Sequence, residues 1–213
     1  MNSINTSQLR DMLIFASLAI VESEPLLTRI DRLTGDGDHG TGMMLGFSAV
    51  RKALLAANAF EDVVALLTQV GMVLIDTIGG ASGVLFGTLF ISGAHQLERK
   101  NEMTSMEFAR FLRAGTAAIR SRGRAEPGDK TMLDALIPAA EALHRASSAG
   151  ESLELCLRQA ADCAKQGAEA TKQMRARMGR AKAYGEASVG HPDAGAISSA
   201  ILVSALAESV LTV

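Results

Sequence analysis

The chain has 213 residues, of which 48% are apolar and 21% charged, and its formal net charge is −2. It has no surplus of positive charge to track a phosphate backbone, which argues against general nucleic-acid binding. With no Trp and a single Tyr, and with Ala, Leu, Ile, Val and Met making up the apolar fraction, it favours helix over strand.

Apolar positions recur at the helical period, with no convincing run of strict alternation. Eight helices are predicted, at about 6–24, 43–56, 60–78, 82–99, 104–121, 130–146, 150–178 and 194–212. The length suits one large core, so a single domain over 1–213 is expected. The first helix contains "MLIFASLAIV", which resembles the apolar part of a signal peptide. Asp11, Glu22 and Glu24 flank it without a basic leader, so it reads as core. Thr104 and Glu107 form a capping box ahead of the fifth helix, and Gly123 and Gly179 read as stop residues. Cys156 and Cys163 lie two turns apart on one predicted helix, about 10.5 Å along its axis. That is too far for a disulfide, and a reducing cytoplasm fits. Asp193 can cap the last helix, whose "AISSAILVSALAESVLTV" is broken by serines and Glu208 and reads as core, not membrane span.

Glycines gather in four places, "TGDGDHGTG", "IGGASG", "SRGRAEPGDKT" and "MGRAKAYGEASVGHPDAGA", each between predicted helices. In an antiparallel bundle alternate connections meet at one end, so these four are expected to build a backbone-lined pocket there. Asp31, Asp36 and Asp38 surround the first loop. Hard oxygen ligands on glycine-bearing backbone, with no thiol nearby, suit Mg2+ or Ca2+ better than zinc. An EF-hand starting at Asp36 fails, because Gly40 and Phe47 stand where ligands belong. Three carboxylates point instead to two Mg2+ ions clamping a polyphosphate; the competing reading is a solvated acidic turn.

"GGASG" at 79–83 precedes an apolar helix, where free N–H groups and the helix dipole attract phosphate, and Ser82 adds a hydroxyl. A tight helix connection would need the same small residues. "GRAEPGDKT" fails the Walker A pattern by one residue and lacks a preceding strand; as a loop entering a helix it could still contact a nucleotide, against the reading of Lys130 as an exposed, solvated charge. In the fourth loop Arg180 can offer charge-assisted hydrogen bonds to phosphate. His39 and His191 lie in glycine loops and are candidate ligand contacts; His95 and His144 read as structural. Met43 and Met44 read as core, and Met132 could pad a base.

In order and spacing, "LTRIDRLTGDGDHGTGM", "GGASGVLFGTLF", "SRGRAEPGDKTMLDAL" and "GRAKAYGEASVGHPDAGA" together resemble the DhaL family, the nucleotide-binding subunit of dihydroxyacetone kinases. The resemblance implies an all-α, eight-helix antiparallel up-and-down barrel whose loops form a nucleotide pocket at one end. It implies Asp31, Asp36 and Asp38 as ligands of two Mg2+ ions. As contacts of ADP or ATP it implies His39, Gly40, Thr41, Gly42, Ala81, Ser82, Gly123, Met132, Arg180, Asp193, Ala194 and Gly195. Arg180 would serve phosphoryl transfer together with the aspartates.

The resemblance further implies half an enzyme. A separate DhaK-type subunit would hold dihydroxyacetone or a related short ketose such as erythrulose. The phosphoryl group would come from ATP, or from a DhaM-type phosphocarrier that recharges bound ADP. A homodimer is a further possibility, with neither nucleic acid nor membrane as partner. The competing function is a non-catalytic, nucleotide-sensing regulatory module. The chain departs from family patterns at Gly42, where relatives carry Asn, at Ala187, where they carry Arg, and at Ala194, where they carry Pro.

Overall fold

A computed structural model describes residues 2–212. The order of elements is β1 (Ser3–Asn5), α1 (Thr6–Glu22), α2 (Glu24–Thr34), α3 (His39–Ala56), α4 (Val63–Thr77), α5 (Gly80–Ala94), β2 (Glu102–Thr104), α6 (Ser105–Gly123), α7 (Leu133–Ser148), α8 (Leu153–Ala170) and α9 (Ala194–Ser209). Short 3-10 turns occupy Thr171–Gln173 and Arg180–Ser188.

Each long helix packs on its neighbours, α1 on α3, then α3 on α4 and onward to α8 on α9, and contacts between α1 and α9 close the ring. The eight-helix, all-α barrel therefore stands. A ninth helix, α2, is added among the described residues, and it rides between α1 and α3. Pro25 sits at its start, where a missing N–H costs nothing, and Leu27 and Ile30 form its buried face.

Seven boundaries move by three residues or more: α3 begins at His39 and not at 43, α4 at Val63 and not at 60, α7 at Leu133 and not at 130, and α8 at Leu153 and not at 150; α5 ends at Ala94 and not at 99, α8 at Ala170 and not at 178, and α9 at Ser209 and not at 212. Gly123 is the last residue of α6, and the left-handed turn after it is taken by Arg124, at φ 51°. A three-residue antiparallel ladder pairs Ser3 with Thr104 and Ile4 with Met103. It leads into two capping boxes, Asn5 with Gln8 on α1 and Thr104 with Glu107 on α6, and ties these helix starts together at the end away from the glycine loops.

The apolar stripes turn inward. Met12, Ile20, Phe47, Leu66, Leu74, Phe86, Leu136 and Leu202 are all buried in one core, and Phe47 meets Phe86 edge to face at 6.4 Å. α4 and α5 approach through glycine: a Cβ on Gly71 or Gly87 would come within 3 Å of the other's carbonyl oxygen. Both cysteines are free. No helix among the described residues is long and apolar enough to cross a membrane.

Candidate functional site

Antiparallel packing brings the α1–α3 (with α2), α4–α5, α6–α7 and α8–α9 connections to one end, and all four glycine loops line a single cavity of about 550 Å³ there. Asp31 lies in the last turn of α2; Asp36 and Asp38 lie in the turn that follows. Two glycines shape that turn. Gly37 has φ +78°, a left-handed conformation that suits a residue without Cβ. At Gly35 a Cβ would stand 2.2 Å from Asp31 Oδ1.

One oxygen from each of the three carboxylates lies within 4.8 Å of the others. Burial pushes the Asp38 carboxyl above its ordinary value, and its hydrogen bond with Asp36 and the charges of Asp36 and Asp31 add to this, against the lowering effect of Arg180. Arg180 Nη1 meets Asp36 Oδ2 at 2.7 Å. One guanidinium thus faces three carboxylates. The cluster fits a hard divalent cation in donor type and in uncompensated charge.

Opposite the aspartates, α5 begins at Gly80 with no side-chain cap. Gly80 has φ +70°, and nothing lies within 4 Å of where a Cβ on Gly79 or Gly80 would stand. The first N–H groups of α5 are left to a ligand, with the positive end of the helix dipole behind them. His39, at the start of α3, braces this region. Its Nδ1 is 3.2 Å from Ser82 Oγ on α5, its Nε2 is 3.0 Å from Ser198 Oγ on α9, and its backbone N–H donates to Asp31 Oδ2 at 3.2 Å. Burial lowers its pKa, so at neutral pH it is a neutral brace between three helices and not a phosphate-binding cation.

From the other loops come Gly123 and Met132 on one side, and Arg180, Asp193, Ala194 and Gly195 on the other. Asp193 caps α9 by accepting from the Ala196 N–H at 2.7 Å. Burial of its carboxyl raises its pKa to about 7, with Asp134 and Asp31 adding to the rise and the Ala196 N–H and Lys130 opposing it.

Of the residues singled out in the sequence, Asp31, Asp36, Asp38, His39, Ala81, Ser82, Gly123, Met132, Arg180, Asp193, Ala194 and Gly195 all line the cavity; Gly40, Thr41, Gly42 and His191 do not. Gly40 is buried against α2, where a Cβ would meet Thr28 at 2.3 Å. The Thr41 hydroxyl donates to Glu24. Gly42 has only Ile78 near its would-be Cβ, at 3.5 Å.

Lys130 differs from expectation: it is 1% exposed and donates to three backbone carbonyls. Ile119, Leu85, Phe86 and Met178 supply an apolar wall. Leu85, Phe86 and Ile119 sit at helical spacing that reads as core, with no sequence sign that it borders a cavity, and Met178 comes from the loop after α8.

The chain matches the DAK2 domain over residues 33–208. It is 43% identical over 186 residues to the PEP-dependent dihydroxyacetone kinase, ADP-binding subunit DhaL, of Escherichia coli, covering 87% of this chain and 88% of that one. It is 40% identical over 195 residues to a D-erythrulose kinase of Mycolicibacterium smegmatis, covering 90% of this chain but 33% of that one. Among solved structures, the dihydroxyacetone kinase of C. freundii in complex with AMP-PNP and Mg2+ superposes with a TM-score of 0.75 at 26% identity, over 98% of this chain and 35% of that one. The chain thus spans nearly the whole of one relative and about a third of the other two.

Proposed function

The chain belongs to the DAK2 domain family, and from that premise we propose that it is the nucleotide-binding, phosphoryl-donor subunit of a dihydroxyacetone (or related short-chain ketose) kinase, acting as one DhaL-type domain. The observation that carries this reading is the meeting of two features around one cavity: three carboxylates partly balanced by Arg180, and the uncapped N-terminus of α5. A nucleoside diphosphate or triphosphate with magnesium supplies what both lack, positive charge for the first and anionic oxygens for the second.

Asp31, Asp36 and Asp38 would hold magnesium, two ions by their number, which would neutralise polyphosphate charge. Ser82 and the first N–H groups of α5 would bind phosphate oxygens. Arg180, 71% exposed at its side chain, is free to turn from Asp36 to a phosphoryl group. The apolar wall, with Met132, would take the base. Phosphoryl transfer asks chiefly for positioning and charge stabilisation, and these residues offer both. They offer no group that would capture a ketose carbonyl, so the acceptor would sit on a separate DhaK-type subunit.

The 43% identity to the PEP-dependent subunit favours ADP as a resident cofactor, recharged in place by a DhaM-type phosphocarrier in the cytoplasm. The erythrulose kinase likeness supports free exchange of ATP as the second reading. Purified protein, dialysed and then denatured, releases ADP under the first and none under the second. Reconstitution with a ketose-binding subunit, dihydroxyacetone or erythrulose, and each donor should yield the ketose phosphate. Binding of Mg-ADP without ketose phosphate from either donor would leave a nucleotide-sensing module.

A further inference from the structure

Between α8 and α9 the chain makes a long excursion, 171–193, that carries Arg180 to the cavity mouth. Contacts at its tip are weak. Arg180 pairs with Asp36 in the open, and the exposed Tyr184 hydroxyl donates to the Gly35 carbonyl at a long 3.3 Å. Exposed pairs of this kind contribute little, too little to fix a loop of this length. Its position is set nearer its root, where the Arg177 N–H also donates to the Asp129 carbonyl at 3.1 Å.

Lys130 is at that root. Its backbone is left-handed, φ +62°, a conformation that is costly for a residue other than glycine, and its side chain is turned inward. The ammonium donates to the carbonyls of Thr171 at 2.6 Å and Met174 at 3.2 Å on the outgoing arm, and to that of His191 on the returning arm. Three donors meet three acceptors, and no N–H remains for a phosphate. A buried ammonium is strongly destabilising unless so satisfied. Around it the arms are stitched directly: Gly190 N–H to Lys172 carbonyl at 2.7 Å, and Asp193 N–H to Thr171 Oγ1 at 2.9 Å.

We propose that Lys130 is a positioning residue for the nucleotide site: it holds both arms of the 171–193 loop together and so sets where Arg180 and the start of α9 face the cavity. This rests on the site reading above, but it has a test that needs no nucleotide. Lys130→Met keeps the length and removes every donor. In metal-free buffer, trypsin should cut after Arg175, Arg177, Arg180 and Lys182 at least tenfold faster than in the wild type, with the helical circular dichroism unchanged.

Mg-ADP should bind at least tenfold more weakly. In a double-mutant cycle Arg180→Ala should cost far less in the Lys130→Met background than alone, a coupling that a merely structural role would not produce. If Lys130→Met does not fold, Lys130→Gln, which keeps an amide donor, carries the same three measurements. Wild-type cleavage and affinity in a folded variant would overturn the proposal. So would additive effects with Arg180→Ala, or loss of the fold in both variants, since Lys130 would then hold the barrel and not the loop. A wild-type protein that ignores Mg-ADP would sink the nucleotide reading and leave the cleavage result standing.

Discussion

Arg180 and Asp36 meet at 2.7 Å across the cavity mouth and join the loop before α9 to the turn before α3. The guanidinium is largely exposed, so the pair adds at most about 1 kcal/mol to stability. Its value would lie in placing a cation beside the carboxylate cluster. Arg180→Gln is therefore expected to leave the melting temperature within a few degrees of wild type while lowering the rate of ketose phosphorylation about 100-fold or more, the usual effect of removing one charge-assisted donor from a phosphoryl or oxyanion site. Thermal melts and turnover in the reconstituted system read the two effects separately.

Gly35→Ala isolates the geometry of the acidic cluster. With φ −139° at Gly35, alanine meets no dihedral penalty, and the effect is the collision of its Cβ with Asp31 Oδ1, 2.2 Å away, and more mildly with the Asp31 carbonyl oxygen at 2.9 Å. Asp31 must swing out of the cluster. Isothermal titration should show Mg-ADP affinity reduced about tenfold or more, while the contact with the Asp31 carbonyl lowers apo stability by about 1 kcal/mol. Unchanged affinity would mean that Asp31 is no ligand.

Metal dependence follows from the charge imbalance. Asp38 sits above its ordinary pKa by burial and by the charges of Asp36 and Asp31, so the apo site is under electrostatic strain. Asp36→Asn is expected to leave the chelator-treated protein no less stable than wild type. Saturating Mg-ADP, at about 100 times its Kd, should stabilise the wild type by about 2.7 kcal/mol and the variant by much less. A variant that responds as the wild type does would remove Asp36 from the metal site.

How much of this was legible in the sequence depended on whether the cause was local. The Thr104–Glu107 box and the Asp193 cap are determined by neighbours three residues apart, and both are present as read. Helix α2 has its own local signals, Pro25 at its start and Leu27 and Ile30 at helical spacing. The density of Gly and Asp just beyond it masks them and makes the whole segment look like loop. The β1–β2 ladder is three residues long on each side, too short for an alternation to register. Lys130 could not have been read at all: its burial depends on carbonyls from residues 171, 174 and 191, brought to it only by the packing of α8 and α9 on α7. Asp31, Asp36 and Asp38, by contrast, are visible as a group because eight consecutive residues hold all three.

His39→Ala should destabilise the protein by about 2–4 kcal/mol. It opens a space between α3, α5 and α9 and leaves the Ser82 and Ser198 hydroxyls without their ring partner. Denaturant melts measure this directly. Because Ser82 would also lose its orientation at the start of α5, Mg-ADP affinity should fall in the same variant. His39→Gln, with one donor and one acceptor to offer, should recover part of both.

Asp193 gives a pH signature of definite sign. Its native pKa, about 7, lies above the roughly 3.9 of an unfolded Asp. Between those values the unfolded chain has already released a proton that the native state keeps, so its contribution to stability is full below about pH 4 and is lost as pH rises to about 7. His39 acts in the opposite direction. Burial lowers its pKa, so its contribution is present above about 6.5 and fades as pH falls, and the raw wild-type profile is blunted. The difference between Asp193→Asn and wild type removes the histidine. Asn can still accept from the Ala196 N–H to cap α9 but has no proton to lose. In chelator, the variant should gain on wild type by on the order of 1–3 kcal/mol between pH 4 and pH 8. Asp31 and Asp134 enhance that gain and Lys130 limits it. If the variant instead loses ground as pH rises, the native carboxyl is ionised throughout and held by Lys130, and the charge balance at the root of the loop is the reverse of the one derived from its burial.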